Sequence, residues 1–350
     1  LIATGGQQIE PTPMLWQTGV DIIDAGHVET GPAPDIGYHL IPGATLAGGG
    51  ALPRIGDAYV HASGLLPDYV AHYVRNDMDS QHWQSHEGSH ARHLPVGISV
   101  LHNNLVFGHW LLEMFPKLLM LRSLTPELRG APIILPSTAP AYVHKTIAAV
   151  LKDWPVYVYD RFAEHVNVDV LIAPEMFHRG YHFHPLFETA VENHIAWGRG
   201  SVGAKARAVA GLKPRKLFVS RRDVNSSFRS LTNTSALEAV AAELGFTIIR
   251  PETMSWRRQV EMFSHAECIV GEFGSGMHNA LFAPSGARVV CLNWIVDVQS
   301  RIANFREQSV GYVLPTGNEL ARFKLDRSFV NYDVDPERCR AAMLEACRGL

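Results

Sequence analysis

Lys216-Leu217-Phe218-Val219, Phe246-Thr247-Ile248-Ile249-Arg250, Cys268-Ile269-Val270-Gly271 and Arg288-Val289-Val290-Cys291-Leu292 are four short apolar runs, each giving way to polar, proline or glycine residues. Between them, apolar residues recur at helical spacing over Ser235–Leu244, Trp256–Ala266 and Met277–Phe282. Short strands separated by helices need long crossovers, and right-handed crossovers make the sheet parallel. In such a sheet ligands lie beyond the carboxyl ends of the strands. Those ends carry Ser220-Arg221-Arg222-Asp223, Pro251-Glu252 and Gly271-Glu272-Phe273-Gly274-Ser275-Gly276.

Working outward, a helix capped by Asn103 or Asn104 is expected to run through Leu121, with Pro116 kinking or restarting it. Strands follow at Pro132–Leu135, Val156–Tyr159 and Val168–Ala173, and helices at Ala141–Leu151 and Leu186–Trp197. This alternation also reads as α/β. Residues 198–215, with four glycines and several basic residues, read as a hinge. Residues 1–100 are rich in glycine and proline and predict short strands and loops, as at Asp57–Ala62. A chain of 350 residues is long for a single core, so two domains are expected, 1–205 and 206–350.

A net charge of -3, from 31 basic and 34 acidic residues, supplies no field for a nucleic-acid backbone. The four cysteines lack CxxC spacing and read as reduced thiols, which points to the cytoplasm. The longest apolar run, Leu105–Leu121, is interrupted by His109, Glu113, Pro116 and Lys117, so no membrane span is expected. The chain opens on Leu1, as a trimmed chain or a piece of a longer one does.

Candidate chemistry gathers in three places. Arg221 and Arg222, with Arg229 further on, offer planar donor forks suited to a diphosphate, the alternative being a solvated basic turn. The turn Gly271–Gly276, leading into Met277, His278 and Asn279, lets backbone amides approach an anion. It departs from a dinucleotide fingerprint, with Asn279 where the third glycine belongs, and a structural turn is the plain alternative. Glu252 is placed to accept ribose hydroxyls or else to cap a helix before Ser255, and Gln259 stands near the same cleft or on plain surface. His109 and Glu113, four apart with Lys117 a turn beyond, share a helix face and suit a general base held by its neighbour; a surface pair is the alternative. His82, His86, His90 and His93 have metal-stripe spacing, but Gly88 and the absent apolar periodicity favour an exposed segment. His178, His182 and His184 read as a loop, and no metal site is expected.

Gly108-His109-Trp110-Leu111-Leu112-Glu113-Met114-Phe115-Pro116-Lys117-Leu118, Phe218-Val219-Ser220-Arg221-Arg222-Asp223, Pro251-Glu252 with Gln259-Val260, and Ile269 through Phe282 together resemble glycosyltransferase family 61, over roughly residues 100 to 297. Bacterial members of that family are often described as capsular polysaccharide biosynthesis proteins. The resemblance implies a GT-B-like α/β architecture, two Rossmann-like domains facing a cleft, the acceptor entering on the N-terminal side. It implies inverting transfer from a nucleotide sugar, commonly a UDP-sugar, to a glycan acceptor, with no obligatory metal or cofactor beyond the donor. By position, Arg221 and Arg222 take the diphosphate, the turn Gly274, Ser275, Gly276, His278 and Asn279 takes nucleotide or phosphate, and His109 and Glu113 face the cleft. The last helix, Pro336–Cys347, is expected by analogy to pack back on the N-terminal half.

Phe273 stands where many members of the family have histidine, so His278 or an arginine substitutes for it or donor choice differs. That departure favours, as alternative, a non-catalytic nucleotide- or glycan-binding module of the same fold. An NAD-dependent oxidoreductase using Gly274-x-Gly276 lacks an acid at the end of the next strand, where Asn293 and Trp294 stand. Peripheral membrane association and oligomeric state are left open by the sequence.

Overall fold

The computed structural model describes residues 33–49, 51–56, 58–60, 89–101, 106–180, 182–200, 215–224, 229–292, 297–315 and 330–350. The expected cap at Asn103 or Asn104, His82, His86, Asn293, Trp294 and most of the 198–215 hinge lie outside the described residues. By internal contacts the described chain divides after Ala190 into two units.

The first unit is built on a mixed seven-stranded sheet of β1 (Tyr38–Leu46), β2 (Arg54–Ile55), β3 (Ala58–Tyr59), β4 (His90–Ile98), β5 (Ile133–Pro136), β6 (Val156–Tyr159) and β7 (Glu164–Pro174), in the order β3-β2-β1-β7-β4-β5-β6. Strands β7, β4, β5 and β6 run parallel, whereas β1 pairs antiparallel with β7 from Tyr38↔Pro174 to Leu46↔Val166. The parallel part matches the α/β reading, and the antiparallel extension gathers the short strands expected near the start. Ile41, Leu46, Ile134, Tyr159, Val168 and Leu171 pack into one core. Within it the Tyr159 hydroxyl donates to the Gly48 carbonyl at 2.6 Å. His90 and His93 lie on β4, and His178 and His182 on the hairpin β8 (His178–Arg179) and β9 (His182–Phe183). Among the described residues no cluster of His, Cys, Asp or Glu could hold a metal ion.

The helix after residue 106 is buried nearly all round and so has no single solvent-facing side. An α-turn, Phe107–His109, passes into a π-helical turn, Trp110–Met114, before the α-helix Phe115–Ser123 begins. Pro116 has no N–H for the carbonyl four residues back, and its ring would crowd that carbonyl in a regular turn. The Phe115 N–H bonds instead to the Trp110 carbonyl, closing the wider turn just before the proline.

The second unit holds a wholly parallel five-stranded sheet. With a short strand β11 (Arg229–Leu231) set aside, it consists of β10 (Lys216–Val219), β12 (Thr247–Ile249), β13 (Cys268–Glu272), β14 (Arg288–Leu292) and β15 (Ser309–Val313), ordered β12-β10-β13-β14-β15. Four of these strands match the sequence reading and β15 adds a fifth. Strand β11 pairs in parallel with β16 (Val330–Tyr332). Continuous burial of β13 and β14 explains their unbroken apolar runs, as expected of strands covered on both faces. The helix Pro336–Ala346 packs on the sheet of its own unit. Its buried residues Cys339, Ala342, Met343 and Ala346 lie in one core with Val290 and Val313. Arg288 fixes its end, donating to the carbonyls of Glu345, Ala346 and Arg348.

All four cysteines are free thiols. Among the described residues no helix is long and apolar enough to cross a membrane.

Candidate functional site

In the second unit's sheet the strands run second, first, third, fourth, fifth along the chain, so the order reverses between β10 and β13. Connections leave the sheet in opposite directions at such a point and open a crevice beyond the strand ends. Two of the sequence-predicted segments meet there. Arg221 follows β10, and its Nε lies 3.8 Å from Oε2 of Glu272, the buried last residue of β13.

Gly274 lies under the Arg221 side chain. A Cβ built there would fall on Arg221 Nη1 and stand 2.7 Å from Cζ. The glycine's φ of 167° is extended backbone that any residue adopts, so glycine is needed for closeness rather than conformation. The room that a dinucleotide fingerprint keeps for pyrophosphate is filled here by a guanidinium. Gly274→Ala is therefore expected to push Arg221 off the loop and to cost about 1–3 kcal/mol of stability. Chemical denaturation checks this; a variant as stable as its parent would mean that the side chain swings aside freely.

Arg222 is held differently. Its Nη2 donates to Ser235 Oγ at 2.9 Å and to Glu238 Oε2, while Ser220 Oγ donates to Glu238 Oε1 at 2.6 Å. Glu238 is buried on the helix Thr234–Glu243, so one carboxylate ties the end of β10 to that helix. Arg221, Arg222, Thr232, Ser235 and Glu272 line a cavity of about 270 Å³ beside these groups. Two guanidinium groups and several hydroxyls suit a polyanionic or polyhydroxylated ligand.

Other predicted residues stand as follows. Arg229 is on β11, next to Ser230 at the cavity wall. Glu252 is exposed on the turn Pro251–Thr253, and it does not cap the following helix, whose cap is Ser255 accepting from the Arg258 N–H at 3.3 Å. Gln259 is buried rather than surface, donating to the Met254 carbonyl at 3.4 Å. Neither Glu252 nor Gln259 lines the cavity. The segment from Ser275 to Phe282 is a 3-10 helix instead of the α-helix expected, and Gly276 would accept a Cβ at ordinary contact distance. His278 and Asn279 are buried, His278 against the Phe273 ring at 5.8 Å and Asn279 donating to the Gly276 carbonyl at 3.1 Å.

Glu238 and Glu272 went unselected in the sequence, as did the hydroxyls of Thr232 and Ser235. An acid beside Leu237 on an apolar helix face, and the run Ser230-Leu231-Thr232-Asn233-Thr234-Ser235, were the available signals.

In the first unit, His109 and Glu113 meet as the spacing implied, with Nδ1 2.7 Å from Oε1. Their exposures, 28% and 1%, separate their roles and exclude the surface-pair reading. A carboxylate on Nδ1 selects the tautomer protonated there and leaves the basic lone pair on Nε2. The imidazole is half-buried, whereas the carboxylate behind it is enclosed.

The π-helical turn, the two arginines and the Gly274 loop all fall within residues 107–290, more than half of the chain, which match the family described as Glycosyltransferase 61. No curated protein matches the chain. The chain belongs to glycosyltransferase family 61 and is a glycosyltransferase.

Proposed function

We propose that the protein is an inverting glycosyltransferase of the GT-B type that transfers a sugar from a nucleotide-sugar donor, a UDP-sugar, to a glycan acceptor. In this reading residues 206–350 take the donor and the N-terminal part takes the acceptor. The work is cytoplasmic, contributes to a bacterial capsular or surface polysaccharide, and needs no metal or other cofactor. The observation that carries the reading is Arg221 crossing Gly274 where the strand order reverses, beside a cavity lined with hydroxyls. Membership of the family supports sugar transfer in general.

The chemistry follows from the residues. His109 Nε2 takes the proton of the acceptor hydroxyl, while the buried Glu113 carboxylate stabilises the imidazolium that forms. The acceptor oxygen attacks the anomeric carbon from the face opposite the leaving group, the bond from that carbon to the phosphate oxygen breaks, and configuration inverts. Arg221 and Arg222 then face the charge that grows on the departing diphosphate. Arg222 reaches it by exchanging Glu238 and Ser235 for phosphate oxygens.

Calorimetry of UDP binding tests the donor half of this reading. Hydrogen bonds to a charged group contribute about 1.5–3 kcal/mol each. Arg221→Ala and Arg222→Ala should thus each weaken UDP by roughly 10- to 100-fold. Unchanged affinity in both, for every nucleotide tried, would overturn the assignment.

A further inference from the structure

At the end of the second unit's sheet away from the crevice, Cys268 opens β13 and is fully buried. Parallel pairing sets it in register with Lys216 of β10 on one side and Arg288 of β14 on the other, so the three side chains stand on one face. The helix Pro336–Ala346 packs on that face, and Arg288 fixes where it stops. Its Nη1 donates to the carbonyls of Ala346 at 3.2 Å and Arg348 at 2.7 Å, the residues on either side of Cys347. Lys216 closes the other flank, with Nζ 3.5 Å from the Leu244 carbonyl. Leu244 and Cys347 both pack against the core to which Cys268 belongs. Two thiols far apart in sequence are thus held side by side, and a hydrogen bond joins their sulfurs.

Packing accounts for most buried cysteines, which serve as small apolar residues. Cys291 and Cys339 are of that kind, both enclosed in the core, and burial pushes the Cys339 thiol up to about 12. The other two differ. Cys347 is only partly buried, with Cys268 enclosed behind it. The hydrogen bond from Cys268, with the nearby charges of Lys216 and Arg288, holds the Cys347 thiol below its usual range, whereas the same bond and burial push Cys268 up. A partly exposed thiolate backed by a protonated thiol is the arrangement of an attacking and a resolving cysteine.

We propose that Cys347 and Cys268 are a reversible redox pair, in which a hydroperoxide oxidises Cys347 and Cys268 resolves it to a disulfide joining the last helix to β13. The Cys347 sulfur attacks one peroxide oxygen, the O–O bond breaks, and the other oxygen leaves with the thiol proton, as water where the oxidant is hydrogen peroxide. A sulfenic acid remains. The Cys268 sulfur then bonds to the Cys347 sulfur, the S–O bond breaks, and the hydroxyl leaves with the Cys268 proton as water. The two thiols together lose two electrons, and the peroxide gains them. Resolution by Cys268 spares Cys347 the irreversible step to sulfinic acid.

The test is peptide mapping by mass spectrometry of the folded chain after treatment with hydrogen peroxide. Expected are the loss of two hydrogens in mass, a peptide linking Cys268 to Cys347, and recovery of both thiols with dithiothreitol, while Cys291 and Cys339 stay reduced. Cys268→Ala should abolish the link and let a sulfenic acid accumulate at Cys347, where dimedone traps it. Cys347→Ser should leave Cys268 a thiol under the same treatment. Sulfinic acid at Cys347 of the wild type beside an unreacted Cys268, a bridge to Cys291 or Cys339, or a bridge between two chains would overturn the proposal. So would thiols that all survive a peroxide dose that oxidises free cysteine. If C268A does not accumulate as folded protein, the wild-type map decides: the intramolecular link supports the pair and its absence overturns it.

Discussion

His109→Ala is expected to lower kcat by about 10²- to 10⁴-fold, the range that a positioned general base contributes. The expectation follows from the proposed role of the pair and from its exposure, since the imidazole is 28% exposed while the carboxylate, at 1%, is enclosed. Donor affinity should change little, because Arg221 and Arg222, the residues proposed to take the donor, belong to the other unit. A loss of this kind, in kcat with binding intact, marks an interaction made in the transition state. The donor is first identified by thermal shift against a panel of nucleotide sugars, since a ligand of the folded state alone raises stability with ln(1 + [L]/Kd). Release of nucleotide with acceptor present then measures turnover. Glu113→Gln should fall between wild type and H109A, since an amide still accepts from Nδ1 but stabilises no imidazolium. Undiminished turnover in H109A would remove the imidazole from the chemistry.

The two halves of the chain were unequally legible. Strands β10, β13 and β14 stood out because parallel strands covered on both faces have no polar alternation to blur them, and the edge strand β12 stood out by its β-branched run Thr247-Ile248-Ile249. Strand β15 was missed because Ser309-Val310-Gly311-Tyr312-Val313 is interrupted by a glycine and follows the polar Arg306-Glu307-Gln308. In the first unit, β1 carries Pro42 and Gly43, the latter at φ +63°, and such residues mark turns rather than the middle of a nine-residue strand. The pairing with β7 nevertheless runs on through them without an inserted residue, from Pro42↔Val170 to Ala44↔Val168.

The candidate site divides along a similar line. Arg221 and Gly274 were legible from their place at strand ends, where topology alone gathers residues. Burial of Glu238 and Glu272 was not, because each meets a partner distant in sequence. Ser220 reaches Glu238 across 18 positions, and Arg221 reaches Glu272 from another strand. The π-turn was half visible: Pro116 announced a break in the helix, but not that it would be met by a wider turn.

Gly271→Ala should destabilise the second unit's sheet strongly. A Cβ on Gly271 would lie 2.6 Å from the Val219 carbonyl oxygen, 2.8 Å from Val219 Cβ and 2.8 Å from Met277 Sδ. The thioether can rotate away, but the carbonyl belongs to the neighbouring strand, in register with Gly271. Relief therefore requires β10 and β13 to separate at the crevice, where Arg221 and Glu272 follow within two residues. Overpacking of this kind costs about 1–3 kcal/mol, and backbone contact places this case at the upper end. For a unit of this size each kcal/mol lowers Tm by about 2–4 °C. Calorimetric melting gives the first number and UDP affinity the second, and both should fall, since the same displacement moves Arg221. A fall in Tm with UDP binding unchanged would mean that the strands part without carrying the guanidinium, and that Gly271 serves the sheet alone.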